Sequence, residues 1–156
     1  MPLAPPASLD YLICRSGARL CALPLACVVE TMRPLPTRPV PDMPPFLLGV
    51  SIIRGATAPV VSVAQLLGEP ATAPASRLVT IKMRGRAVAF AFDAVLGIRS
   101  LAAQCLADIP LLLHALDTSS VAAIAILDAE LMVVLQSARI IPDAVWATLD
   151  TAEPIV

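Results

Sequence analysis

The side chains of this 156-residue chain best suited to nucleophilic or metal chemistry are four cysteines, Cys14, Cys21, Cys27 and Cys105, and one histidine, His114. A structural zinc site needs about four thiolate or imidazole ligands at close spacing, and the sequence offers neither a C-x-x-C pair nor a histidine cluster. No metal and no cofactor is therefore expected, and the cysteines read as small buried hydrophobes. Cys105 and His114 would make a thiol nucleophile and its base only within hydrogen-bond reach of each other and with a third group to orient the base. A separation of nine residues without an orienting motif supplies neither condition. A second pair is ionic: Glu30, in VVE, and Arg54, in IIRG, are isolated charges amid apolar segments. A carboxylate and a guanidinium can form a surface or half-buried ion pair. Such a pair adds little stability when exposed, and on these residues alone it reads as one that only fixes two strands, with recognition of a partner as the alternative. Lys82, Arg84 and Arg86 alternate along a predicted hairpin and read as one solvated face that discourages strand-on-strand association.

The elements that must position these groups are built from an unusually apolar chain, 58% hydrophobic, 15% charged and 3% aromatic. A membrane-spanning helix takes about 18 or more apolar residues. The longest run without a charge, Gly55 to Gly68, has 14 residues and contains Pro59. No segment is expected to insert in a bilayer, and residues Met1 to Asp10 lack the basic start and apolar core of a secretory signal, which points to the cytoplasm. The net charge of −1, without a basic run, argues against a nucleic-acid partner.

Apolar stretches of five to eight residues alternate with glycine, proline and charge, which predicts an all-β chain. Strands are expected at Tyr11 to Cys14, Leu20 to Leu23, Cys27 to Met32, Val50 to Ile53, Pro59 to Val61, Leu78 to Met83, Ala87 to Phe92, Ile98 to Leu101, Val121 to Leu127 and Leu131 to Leu135. Tight turns are expected at Ser16-Gly17, Arg54-Gly55, Arg84-Gly85 and Asp128-Ala129. Six prolines between Pro34 and Pro45 predict an extended excursion between strands. Glu69 to Ser76, EPATAPAS, has the composition of an exposed linker, and a terminal helix is expected around Val145, Trp146 and Leu149 to pack on the core.

The chain can be laid over itself. Arg54-Gly55 with ATAPVVSVAQLL matches Asp128-Ala129 with ELMVVLQSARII without a gap, and RLCALPLACVV from Arg19 matches RAVAFAFDAVL from Arg86 in the same order. Two similar β units follow, approximately residues 10–68 and 77–141, joined by 69–76 within a single domain over 10–146. Glu30 falls opposite Gly97 and Arg54 opposite Asp128, so neither charge is required by the repeat. Each unit ends on a strand, a serine (Ser62, Ser137) able to cap, and a short apolar helix.

The order LP, V-x-E, a proline-rich excursion and G-V-x-x-x-R-G-x-x-x-P-V-V, continued by RLVTIKMRGRAVAFAFDAVLGI and VAAIAILDAELMVVL, resembles the CheW-like adaptor domain of bacterial chemosensory arrays across roughly Leu12 to Ile141. The resemblance implies two intertwined five-stranded SH3-like barrels with short helical turns and a C-terminal helix. It implies a non-enzymatic coupler, located in the cytoplasm with receptor arrays, that joins chemoreceptor cytoplasmic tips to the regulatory domain of a CheA-type histidine kinase. Carried over residue by residue, it assigns partner binding to Glu30 and Arg54, with Val28 as an apolar contact and Gly55 as the tight turn. Ser62 stands where the family usually has an aspartate, with Gln136 at the corresponding later position, and Leu101 to Ser120, including Leu111 to Leu113, follows no recognisable pattern. The alternatives are an adaptor of another chemosensory pathway, serving surface motility or development, and a small β-barrel enzyme using Cys105 and His114.

Overall fold

A computed structural model describes residues 8–69, 74–83, 85–102, 106–107, 121–127, 130–135 and 145–147. Among the described residues eleven strands run in the order β1 (Ser8–Ser16), β2 (Arg19–Pro24), β3 (Val28–Met32), β4 (Leu47–Ile53), β5 (Ala56–Ser62), β6 (Arg77–Met83), β7 (Arg86–Phe92), β8 (Ala94–Ala102), β9 (Leu106–Ala107), β10 (Val121–Leu127) and β11 (Glu130–Leu135). The helix α1 (Val63–Leu66) follows β5. All ten expected strands are present, most of them longer than expected, and β9 is an addition. One sheet has the order β8-β1-β2-β11-β10-β9 and the other β3-β6-β7-β5-β4.

The internal repeat is written into this topology. Each sheet contains two antiparallel hairpins, β1-β2 with β10-β11 or β6-β7 with β4-β5, and the second strands of the two pair in parallel, β2 with β11 and β7 with β5. The registers correspond: Val134 faces Ala22, and Val60, its equivalent, faces Ala89, the equivalent of Ala22. The irregularities correspond too. Pairing skips Val29 between β3 and β6 and Leu96 between β8 and β1, and it skips Leu48 on β4 and Ala122 on β10. Even the excursions return alike, since Arg38 bridges Val50 as Ala107 pairs with Ile124.

The sheets divide the chain differently from the segments 10–68 and 77–141. The first unit places β1 and β2 in one sheet, crosses over through a single 3-10 turn at Leu25–Cys27, and places β3, β4 and β5 in the other. The second unit mirrors this, crossing back at Asp93 between β7 and β8. Glu69 to Ser76 therefore joins two elements of the same sheet. Of that stretch Glu69 is half-buried, Ala75 packs against a core cluster, and Pro74 and Ser76 are exposed.

Side chains alternate between two faces along each strand, and in β2, β6 and β7 both faces are buried. Tyr11, Ile13, Leu20, Ala22, Leu101, Met132 and Val134 cluster within the first sheet, while Ile53, Ala58, Val60, Leu78, Ala89 and Ala91 cluster within the second. The interleaved residues Leu12, Cys14, Cys21, Leu23, Val79, Ile81, Val88, Phe90 and Phe92 form a third cluster shared by both sheets. Strands buried on both faces read as continuous apolar runs, which explains the composition. The alanines of the second cluster fit the narrow interior of a small barrel. Val145 and Trp146, in a helical turn at 145–147, are buried in the shared cluster, and the Arg86 guanidinium carbon lies 4.3 Å from the Trp146 ring centre.

That position corrects one expectation. Met83 faces Arg86 across the β6-β7 hairpin while Lys82 faces Ala87, so Lys82 and Arg86 lie on opposite faces of the sheet. The turn between the strands reverses the alternation that a straight count along the sequence assumes.

Candidate functional site

The partner-binding residues expected from the sequence come from opposite ends of the second sheet, β3 at one edge and the β4-β5 hairpin at the other, and an ion pair brings Glu30 and Arg54 together. Among the described residues β3 is an edge strand paired with β6 alone, and the hairpin connecting β4 to β5 turns at Arg54-Gly55. Both turn residues have positive φ, 53° at Arg54 and 79° at Gly55. This is the pattern of a two-residue type I′ hairpin, whose twist matches that of its strands and which favours Asn-Gly or Gly-Gly. Glycine meets the requirement at position 55, and a β-carbon built there would find no atom within 4 Å, so only the backbone angle restricts the site. Arginine in the left-handed region is disfavoured by contact between its β-carbon and the backbone.

What the turn gains is a placed guanidinium. Arg54 Nε donates to Glu30 Oε1 at 3.0 Å and Nη2 donates to Glu30 Oε2 at 2.6 Å, a two-pronged pair that joins the turn to the edge strand β3. The Arg54 side chain is 79% exposed and that of Glu30 25%. The guanidinium hydrogen bonds hold the Glu30 carboxyl below the usual glutamate range and push the arginine further up, so the pair stays charged. Buried Thr80, the partner of Glu30 on β6, donates through Oγ1 to the Glu30 carbonyl at 3.3 Å, fixing the backbone that carries the carboxylate.

Val28 is half-buried and packs against the shared core, whereas Val29, pushed out at the skipped position beside Glu30, is 59% exposed. On β4, Ile52 is 68% exposed two residues before Arg54. Neither residue stands out in the sequence. For Ile52 the strand alternation was a usable signal, because Leu48, Val50 and Ile52 oppose the buried Leu47, Ser51 and Ile53. A bulge at Val29 has no sequence signal in a run of valines.

The proline-rich segment lies along β4, the opposite edge of the sheet from β3. Arg38 N donates to Val50 O and Val50 N to Arg38 O, both at 2.8 Å, and buried Ser51 donates through Oγ to Pro36 O at 2.8 Å. Ser62, which takes the place of the family's aspartate, caps α1 by accepting from Gln65 N at 3.4 Å. Gly68, with a φ of 83°, ends that segment in the left-handed conformation. Gln136, Asp128, Cys105, His114 and Leu111 to Leu113 lie outside the described residues. Among the described residues no group of three or more His, Cys, Asp or Glu could hold a metal ion, and no helix is long and apolar enough to cross a membrane.

The family model of the CheW-like domain matches residues 10–145. Among solved structures the fold is similar to that of the scaffolding protein TtCheW from Thermoanaerobacter tengcongensis, with a TM-score of 0.77 and 19% sequence identity over 86% of this chain and 92% of that one. No curated protein matches the chain. The match over most of the sequence, on a fold of two SH3-like barrels that exchange strands, places this chain in the CheW-like domain family of chemotaxis-type signalling scaffolds.

Proposed function

We propose that this protein is a non-enzymatic cytoplasmic adaptor that couples the cytoplasmic tips of chemoreceptors to a CheA-type histidine kinase within receptor arrays, with Val28, Glu30, Arg54 and Gly55 at the receptor-contacting surface. The observation that carries this reading is the Arg54–Glu30 pair, held by a turn in which arginine is conformationally disfavoured. Disfavoured backbone at an exposed position persists where it serves a function. Val29, next to Glu30, and Ile52, two residues before Arg54, are exposed and add apolar surface beside the two charges. A helical hairpin seats its apolar stripe on such a surface while charges of both signs set its register. Each contact of this size is weak, and repetition through an array multiplies its effect.

The test is co-sedimentation of the Arg54→Ala variant with receptor-fragment assemblies and kinase. The variant is expected to fold with an unchanged circular dichroism spectrum, to lose co-sedimentation with receptor and to leave the kinase unactivated. Normal assembly and activation by the variant would overturn the site.

A further inference from the structure

Cys14 and Cys21 face each other directly across the β1-β2 hairpin, their side chains on the same side of the sheet, and both are fully buried in the cluster shared by the two barrels. The equivalent positions of the second repeat are Ile81 and Val88, which also face each other, are also fully buried and belong to the same cluster. One half of the molecule thus fills this place with hydrocarbon and the other with two thiols, so packing alone does not call for sulfur there. Cys27, by contrast, is half-buried beyond the end of β2.

We propose that Cys14 and Cys21 form a redox couple, a dithiol that closes reversibly to a cross-strand disulfide in the wall between the barrels. Directly opposed residues on antiparallel strands have α-carbons about 4.5–5.5 Å apart, inside the range of about 4.4–6.8 Å that a disulfide spans. Their β-carbons, about 4.5–5.5 Å apart in such pairs, must approach to about 3.5–4.5 Å. Closure therefore draws β1 and β2 together by about 1 Å at that point, and a bond formed under such tension is the readily reduced kind. The oxidant is a low-molecular-weight disulfide such as oxidised glutathione. One cysteine, as thiolate, attacks it, releasing one glutathione thiolate and leaving a mixed disulfide. The second cysteine thiolate then displaces the other glutathione. The two cysteines lose two protons and two electrons in all, and one oxidised glutathione becomes two reduced ones.

Burial pushes both thiols up to about 12, so the closed native hairpin reacts slowly and exchange proceeds through opening of β1-β2. Two contacts restrain that opening at the hairpin tip: Gly17 N donates to an Asp93 carboxylate oxygen, and Arg19 Nε donates to Glu69 Oε1 at 2.7 Å.

The experiment takes the full chain, unfolds it and refolds it in a buffer of oxidised and reduced glutathione, so that the thiols reach equilibrium however slowly the native hairpin opens. The sample is then acid-quenched, alkylated under denaturing conditions and mapped by mass spectrometry. A bond between Cys14 and Cys21 is expected in protein with the native circular dichroism spectrum, lost when reduced glutathione is raised tenfold and absent from Cys21→Val. That substitution copies Val88 of the other repeat and preserves the fold. Refolded native protein in which Cys14 and Cys21 remain alkylated as thiols, carry glutathione without closing, or link to Cys27 or Cys105 would overturn the proposal.

Discussion

Substituting Gly49 by alanine isolates the contact between the proline-rich segment and β4. Gly49 has a φ of 143°, and a β-carbon built on it would lie 2.0 Å from the Arg38 carbonyl oxygen, 2.6 Å from the Arg38 carbonyl carbon and 3.0 Å from the Pro39 α-carbon. All three obstacles are backbone, so no side chain can swing aside and the segment must lift from the strand. The two Arg38–Val50 hydrogen bonds go with it, at about 1 kcal/mol each, and alanine at this φ adds roughly 1–3 kcal/mol of strain. The sum, about 3–5 kcal/mol, is a large part of the ~5–15 kcal/mol that holds a typical domain together. At roughly 2–4 °C per kcal/mol for a chain of this size, the thermal midpoint should fall by about 10 °C. Gly55→Ala is the control, because its φ of 79° imposes a conformational cost while its β-carbon meets no atom within 4 Å. It should lose only about 1–2 kcal/mol. Thermal melts followed by circular dichroism compare the two, and amide exchange at Arg38 and Val50 reports the lost bonds directly. Gly49→Ala melting no lower than Gly55→Ala would refute the packing of the segment against β4.

Ser51→Ala removes the donor to Pro36 O and leaves that carbonyl unpaired, for an expected loss of about 1–3 kcal/mol in urea unfolding; no change would mean that water replaces the hydroxyl. Trp146→Ala empties a buried site in the shared cluster and should cost about 3–5 kcal/mol, read as a lowered denaturation midpoint, whereas a terminal turn that only brushes the core would cost far less. The Glu30 carboxyl, followed by NMR, should titrate below the ordinary glutamate range and move back up in Arg54→Ala. Because its folded value lies below its unfolded one, the pair's contribution is present at neutral pH and is lost as pH falls through the lowered value; an unmoved titration in the variant would show that the pair does not form in solution.

The legible parts of the fold were those written in local pattern. Alternation and glycine placement located the hairpins, and the match of ATAPVVS to ELMVVLQ anticipated a repeat that the parallel pairings Val60–Ala89 and Val134–Ala22 express residue for residue. Strand exchange was not legible from periodicity, because a crossover of three residues at Leu25–Cys27 looks like any other break between strands. β9 was missed because two residues, Leu106 and Ala107, carry no period and owe their pairing to β10. At the candidate site, Glu30 and Arg54 were conspicuous as charges in apolar surroundings. Val29 and Ile52 were hidden among other aliphatic residues, and only the skipped pairing beside Glu30 decides which of two adjacent valines faces outward.

The exchange of strands has a practical consequence for anyone who would cut this molecule. Cleaved between Gly68 and Arg77, the chain yields an N-terminal piece holding β1 to β5 and a C-terminal piece holding β6 to β11. Each piece then owns two strands of one barrel and three or four of the other, and neither can close a barrel by itself. Two halves produced as separate polypeptides are therefore expected to fold only on meeting, with both barrels forming together.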